Sequence, residues 1–493
     1  MKGQVSKFLF REPSQWQFWL LFAFFCKASI FILLLCRHEY SSIPGFWGLT
    51  SGDTPTYLEP IDNFIKQGNY SPDIRMPGYG ILYMPFAFFF SQPVACNIVI
   101  ILQLILSAVS VYPLALIAKM IFKSTNIFYL VLYIYCISTY TNMYDDALLT
   151  ESFATAFLIF SMYYLAQFLT GASASNRKLF LSGLFFTETI FLRPAFAPLI
   201  IIVPAIIMIY MYTTQKKITI IKPLVFIVSF IIADGTWTLS RYEKHHEINP
   251  LTVHWLPSFE NSHILSLITL IQAWGGDWTM GASDSQYNWF VMKEDSIAGK
   301  QASASKNNIF PDQIYTSKFN YDSLLVLRNN VQQYITLSDD SKLSQLKKEV
   351  VLNRIREASS RYSNSVKAEN PFLYYVKAPL TYLRRFIANS GTYNLFNNVP
   401  LHSLNYFQIF VKIIYSLFYW MILLFGTAGI IILAKTSFQN LSIATLLVII
   451  LYTVIAYPMI FRQPEFRYLI PAYPFMVIFA TYAISNIKRH SSN

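Results

Sequence analysis

The chain of 493 residues is 54% hydrophobic, 17% aromatic and only 13% charged, about half the charged fraction of an ordinary soluble domain. That composition excludes a soluble enzyme, a disordered tail and a disulfide-stapled secreted scaffold. The net charge of +12 does not point to nucleic acid, because the basic residues sit beside the ends of apolar runs, where they fix membrane topology.

Apolar runs long enough to span a bilayer recur along most of the chain, and they lack the alternation of a β-barrel strand. In chain order they predict spans over 16–36, 93–118, 126–142, 151–169, 179–193, 195–212, 223–239, 405–434, 441–460 and 468–487. The first run is long enough to span and stay, and nothing resembles a cleavable signal. In the loop that follows, 37–92, the stretch Gly52-Asp53-Thr54-Pro55 reads as a helix start. Asp53 or Thr54 can cap it, with Pro55 in the first turn. A stripe of Tyr57, Ile61, Phe64 and Ile65 lays that helix in the membrane interface. The short apolar segment 79–90, interrupted by Pro85, reads as interfacial or re-entrant. A very short loop with Asp145, Asp146 and Glu151 joins two spans, and Arg193-Pro194 marks a turn at the membrane surface. The stretch 240–403 has the composition of a small globular domain. Within it, 338–366 has helical periodicity, and 371–388 is apolar and basic, as suits a segment lying on a bilayer.

The predicted fold is therefore an all-α polytopic membrane protein. It has about ten transmembrane helices, interfacial helices in the first outer loop and a small, mainly helical extracytoplasmic domain. The domains read as an N-terminal transmembrane module (1–239), the outer domain (240–403) and C-terminal spans (404–493). One alternate set of connections carries Lys2, Lys7, Arg11, Lys119, Lys123, Arg177, Lys178, Lys216, Lys217, Lys222, Lys435, Lys488 and Arg489. The positive-inside rule puts that set, and both termini, in the cytoplasm. Cys26, Cys36, Cys96 and Cys136 fall in or beside spans without metal spacing and read as small apolar residues.

Charges near hydrocarbon are costly, so their placement is informative. Apart from Lys27 and Glu188 they gather at the outer ends of spans: Asp53, Arg75, Asp145, Asp146, Glu151, Arg193, Asp234, Arg241, Arg462, Glu465 and Arg467. A transporter would place them near mid-membrane; an enzyme working at the outer interface would place them here. Read blandly, Asp53 and Glu151 are a helix cap and a dipole partner. Read functionally, the carboxylates offer a general base, and a divalent metal could sit among them although no strict ligand spacing is present. The arginines suit phosphate oxygens, which at this depth means a phospholipid or polyprenyl phosphate. His245, His246 and His402 form no metal pattern, and Glu188 invites a basic partner within the bundle.

The ordered motifs Gly-Asp53-x-x-x-Tyr57, Arg75-x-Pro77-Gly78-Tyr79, Asp145-Asp146-Ala-Leu-Leu-Thr150-Glu151, Phe-Leu-Arg193-Pro194, Trp237-x-x-x-Arg241 and Phe466-Arg467-Tyr468-Leu-Ile-Pro471-x-Tyr473-Pro474 together resemble the GT-C superfamily of membrane glycosyltransferases. The nearest branch is that of the protein mannosyltransferases and aminoarabinose transferases. The resemblance implies a polyprenyl-phosphate-linked sugar as donor and an extracytoplasmic glycan, lipid or protein as acceptor; separately, an outer insert without cysteines and a chain without eukaryotic-looking retention signals point to a bacterial inner (plasma) membrane as location. The resemblance also implies Asp53 as general base, with Asp145, Asp146 and Glu151 positioning the acceptor, the base or a metal. Arg75, Arg193, Arg241, Arg462 and Arg467 would hold the departing phosphate, with Tyr57, Tyr79 and Tyr468 lining the substrate site. Thr54 stands where the family commonly has a second acid. Two other readings remain open. An O-antigen ligase or polymerase would lean on outer Arg and His residues and spare Asp53. A transporter or flippase of lipid-linked sugars would show internal repeats and midplane charges.

Overall fold

The computed structural model describes residues 11–35, 42–72, 75–171, 175–216, 219–253, 262–279, 285–292, 310–337, 342–392, 395, 403–437 and 440–490. Lys2, Lys7, Cys36, Lys217 and His402 lie outside the described residues. Among those residues the chain is helical, with no strand beyond an isolated parallel bridge between Leu49 and Ala147. It divides into two compact units. The first is Met1–Trp255, Asn389–Val454 and Phe466–Asn493; the second is Leu256–Ala388 and Ile455–Glu465. The borders read at 239/240 and 403/404 thus fall at 255/256 and 388/389. The C-terminal helices join the N-terminal module, and the short piece 455–465 joins the second unit.

In chain order the first unit opens with α1 (Trp16–Leu35), α2 (Thr54–Gln67), α3 (Gly78–Ala87), α4 (Gln92–Phe122), α5 (Thr125–Ile137) and α6 (Thr139–Asn142). Then follow α7 (Glu151–Leu169), α8 (Asn176–Leu192), α9 (Leu199–Gln215) and α10 (Ile221–His245). The second unit holds α11 (His263–Gln272), α12 (Gln286–Val291), α13 (Tyr321–Thr336), α14 (Lys342–Glu369) and α15 (Ala378–Ala388). The chain closes with α16 (Tyr406–Ser437), α17 (Leu441–Ile455) and α18 (Tyr473–His490), back in the first unit apart from the last residue of α17.

Among the described residues, seven helices are long and apolar enough to cross a membrane: Trp16–Leu35, Gln92–Phe122, Glu151–Leu169, Pro194–Thr214, Ile221–His245, Tyr406–Ala434 and Leu441–Ile460. The protein is a polytopic membrane protein. The other three sequence spans form shorter helices. Ser138, in an extended conformation (φ −70°, ψ 107°), breaks 126–142 into α5 and α6. The 13 residues of α5 rise only about 20 Å against a hydrocarbon core of about 30 Å. Helices α8 and α18, at 17 and 18 residues, rise about 26 and 27 Å.

Local chemistry sets the joints between helices. Ser124 accepts from the Ile127 N–H to start α5, directly after Lys123 turns through the left-handed region at φ 51°. Ser175 caps α8 in the same way, accepting from the Arg177 N–H. Within the first unit α7 packs between α4 and α8, α8 against α10, and α16 along α18. The second unit has its own aromatic core of Trp274, Trp289, Phe290, Phe310 and Tyr362, closed by α11, α13 and α14.

Candidate functional site

Five stretches distant in sequence converge in the first unit. Asp53 stands at the N-cap position of α2, yet its side chain makes no capping bond. The Thr54 hydroxyl instead accepts from the Ser51 N–H and donates to the Leu148 carbonyl, leaving the Asp53 carboxylate for other partners. Arg75 reaches it from the segment before α3. Its Nη2 lies 2.6 Å from Asp53 Oδ1, its Nε donates to Thr56 Oγ1 at 3.1 Å, and its guanidinium sits 4.8 Å over the Tyr57 ring. Arg467 approaches from the 3-10 turn Phe466–Leu469, with Nη1 2.8 Å from Asp53 Oδ2 and Nε 3.8 Å from Glu151 Oε1. Glu151, the first residue of α7, is ion-paired with Arg193.

The sequence dictates much of this placement. Pro194 drives the residue before it out of the helical region, so α8 ends at Leu192. Arg193 (φ −140°, ψ 85°) then turns inward with its own N–H still bonded to the Thr189 carbonyl. Gly78 lets the start of α3 press on the end of α8: a Cβ there would lie 2.7 Å from the Phe191 carbonyl carbon. Gly48 does the same for the first loop, because a Cβ there would collide with the Asp146 carbonyl oxygen. The Tyr140 hydroxyl donates to the Phe466 carbonyl at 2.8 Å and fixes the turn that carries Arg467. Tyr468 then stacks beneath two guanidinium groups, 4.8 Å from Arg193 and 5.7 Å from Arg467.

The cluster has two halves. Glu151 and Arg193 are 1% and 5% exposed, whereas Asp53, Arg75 and Arg467 keep 28%, 28% and 22%. Burial pushes the Asp53 carboxyl up, but Arg467, Arg75 and Arg193 outweigh it and hold it below the usual carboxylate range. Tyr57 lies under the Arg75 guanidinium, and Glu151 faces Arg193 and Arg467 on the same patch. Such an arrangement can hold an anion on its guanidinium face while keeping a carboxylate ionised beside it.

The remaining sequence candidates go elsewhere. Asp145, expected beside Glu151, pairs with Lys27. Lys27 Nζ donates to Ser107 Oγ at 2.7 Å and Asn142 Oδ1 at 2.6 Å and lies 3.9 Å from Asp145 Oδ2, and Ser152 donates to Asp145 Oδ1 at 2.6 Å. Burial pushes the Asp145 carboxyl up, to about 6, against the pull of Lys27 and Ser152. Asp146 is buried, and its carbonyl accepts from the Leu49 N–H at 2.9 Å. Arg241 is also buried; it bonds the Asn249 carbonyl and faces Glu247, while Asp234 accepts from the Leu251 N–H, so α10 folds the 246–253 segment back on itself. Tyr79 supports Tyr57 from behind, with ring centroids 5.0 Å apart and its hydroxyl donating to Gln103. Arg462 belongs to the second unit. Held at φ 53°, it donates to the Gln272 and Tyr374 carbonyls. Glu188 stays half-buried on α8.

Gln103 is the functional neighbour that sequence reasoning missed. Its amide nitrogen lies within 3.3 Å of the carbonyls of Tyr144, Asp145 and Ala147, so it holds the loop that delivers Glu151. A lone glutamine inside the apolar run 93–118 was the available signal.

Among the described residues no three His, Cys, Asp or Glu side chains gather as a metal donor set. The positive charge facing Asp53 and Glu151 comes from the guanidinium groups of Arg75, Arg193 and Arg467. The fold and this patch define a polytopic helical membrane protein with an acid–arginine cluster in its first unit. Compared with protein-family models, curated proteins and solved structures, the chain gives no match.

Proposed function

We propose that this protein is a glycosyltransferase that moves a sugar from a polyprenyl-phosphate carrier to an acceptor hydroxyl outside the cytoplasm. The observation that carries the reading is the meeting of Asp53 and Glu151 with Arg75, Arg193 and Arg467 from remote stretches of chain, flanked by Tyr57 and Tyr468. In the proposed topology α5, α8 and α18 complete ten spans with the seven long helices. Both termini are cytoplasmic, the cluster faces the periplasm or exterior, and 240–403 lies on that same side.

Transfer needs a base for the acceptor and neutralisation of the leaving group. The acceptor O–H gives its proton to the Asp53 carboxylate as its oxygen attacks the anomeric carbon. The bond from that carbon to the phosphate oxygen breaks, and the electron pair leaves on the polyprenyl phosphate, whose added negative charge Arg467, Arg75 and Arg193 stabilise. Asp53 then returns its proton to solvent. A single displacement inverts the anomeric configuration. Glu151 holds Arg193 in place, and the tyrosine rings give the sugar a flat wall.

The test uses purified protein in nanodiscs with labelled polyprenyl-phosphate sugars and acceptor extracts. Wild type transfers label with inversion, and Asp53→Asn lowers the rate by about 10²–10⁴-fold, the range of general-base catalysis. Transfer that survives Asp53→Asn unchanged refutes the mechanism; movement of the lipid without bond formation refutes the enzyme class.

A further inference from the structure

We propose that the donor's phosphate and the Asp53 carboxylate compete for the same two guanidinium groups, so that arrival of the donor is what frees the base. This rests on the functional reading above and adds a control to it. With the site as it stands, each Asp53 oxygen is gripped by a separate arginine, Oδ1 by Arg75 Nη2 at 2.6 Å and Oδ2 by Arg467 Nη1 at 2.8 Å. Charge-assisted bonds to both oxygens favour the ionised form and leave a weak base. One nitrogen of each guanidinium is therefore already committed to Asp53, Arg75 Nε is committed to Thr56, and Arg467 Nε faces Glu151.

Exposure decides which half of the cluster can exchange. Asp53, Arg75 and Arg467 are each more than a fifth exposed, whereas Glu151 and Arg193 are nearly closed to solvent. An incoming phosphate meets the Asp53 half first. As it takes up Arg75 and Arg467, the carboxylate loses its two nearest positive partners and gains proton affinity while Glu151 keeps Arg193. A strong base then exists only with the donor in place, so the acceptor is not deprotonated without a sugar to receive it.

Isothermal titration of the full-length protein in nanodiscs with farnesyl phosphate, a short isoprenoid monophosphate, tests the idea, with inorganic phosphate as a second arm. Asp53→Asn and Asp53→Ala are each expected to bind farnesyl phosphate about tenfold tighter than wild type, while Arg75→Gln binds more weakly. In the Arg75→Gln background the gain from Asp53→Asn shrinks at least threefold, because one contested partner has gone. Two results overturn the competition: Asp53 variants that bind no tighter than wild type, or a gain of the same size in the Arg75→Gln background, which is simple charge repulsion. Farnesyl phosphate bound by neither wild type nor variants overturns the lipid-phosphate reading itself. Inorganic phosphate bound as tightly as farnesyl phosphate, with the same Asp53 effect, supports the competition and overturns the isoprenoid donor.

Discussion

Replacing Lys27 with methionine separates structural from catalytic carboxylates. Lys27 and Asp145 are 0% and 2% exposed, and the 3.9 Å between Nζ and Oδ2 is long for a direct bond. The ammonium is instead satisfied by Ser107 and Asn142, each such charged bond contributing about 1.5–3 kcal/mol. Lys27→Met removes both bonds and strands the Asp145 charge with neutral Ser152 and Ser107 hydroxyls in place of a cation. Breaking a buried pair from one side costs about 3–5 kcal/mol, a large part of a total stability of about 5–15 kcal/mol. Lys27→Met/Asp145→Leu removes the stranded charge as well and should recover all but about 2 kcal/mol, the remainder being the Ser107 and Ser152 hydroxyls and the Asn142 amide oxygen left without a charged partner. Unfolding of the detergent-purified variants, followed by tryptophan fluorescence and treated as a double-mutant cycle, gives both values. Transfer per folded molecule, measured alongside, should stay within about threefold of wild type in the double variant, because Asp145 is spent on Lys27 and not on the Asp53 cluster. A cost below about 1 kcal/mol for Lys27→Met, additive single effects, or a hundredfold loss of transfer in the double variant refutes this account.

Arg241→Gln should leave the apparent affinity for the donor within twofold and speed proteolysis of the 246–253 segment, since its guanidinium serves the Asn249 carbonyl; a large rise in KM for the donor would return Arg241 to phosphate binding. Gly78→Ala forces a methyl group against the Phe191 backbone and should cost about 1–3 kcal/mol, with a fall in transfer as Arg75 and Arg193 move apart; a neutral substitution on both readouts contradicts the packing. The pH dependence follows from the depressed Asp53 carboxyl. Its ion pairs contribute stability above the ordinary carboxylate pKa of about 3.9, and that contribution is lost only as pH falls through the still lower folded value. Asp53 therefore adds no acid limb to kcat/KM between pH 5 and pH 8, and an acid limb on kcat should sit at higher pH if donor binding frees the carboxylate. A shared limb in both parameters that Asp53→Asn abolishes contradicts this order.

Apolar length alone located the seven long apolar helices among the described residues, because a bilayer demands about twenty consecutive residues whose backbone groups bond internally. Sequence also marked the C-terminal end of α8 and the start of α2, where Pro194 and Pro55 act within one or two residues. It could not foresee the break at Ser138, since a serine in an apolar run reads the same whether the helix continues or stops. Nor could it sort the acids. Asp145 and Glu151 are six positions apart in one loop and look equivalent in the text of the chain. Their difference comes from what faces them: Lys27 on α1 in one case, Arg193 at the end of α8 in the other. Arg462 and Arg467 likewise share a loop but serve different units. Hydrophobic length and proline act locally and are legible in one dimension, whereas the partner of a charge is chosen by packing between helices far apart in the chain. For this protein the chain's text fixed the membrane and the rough inventory of charges, and tertiary contact alone decided which of those charges became a site.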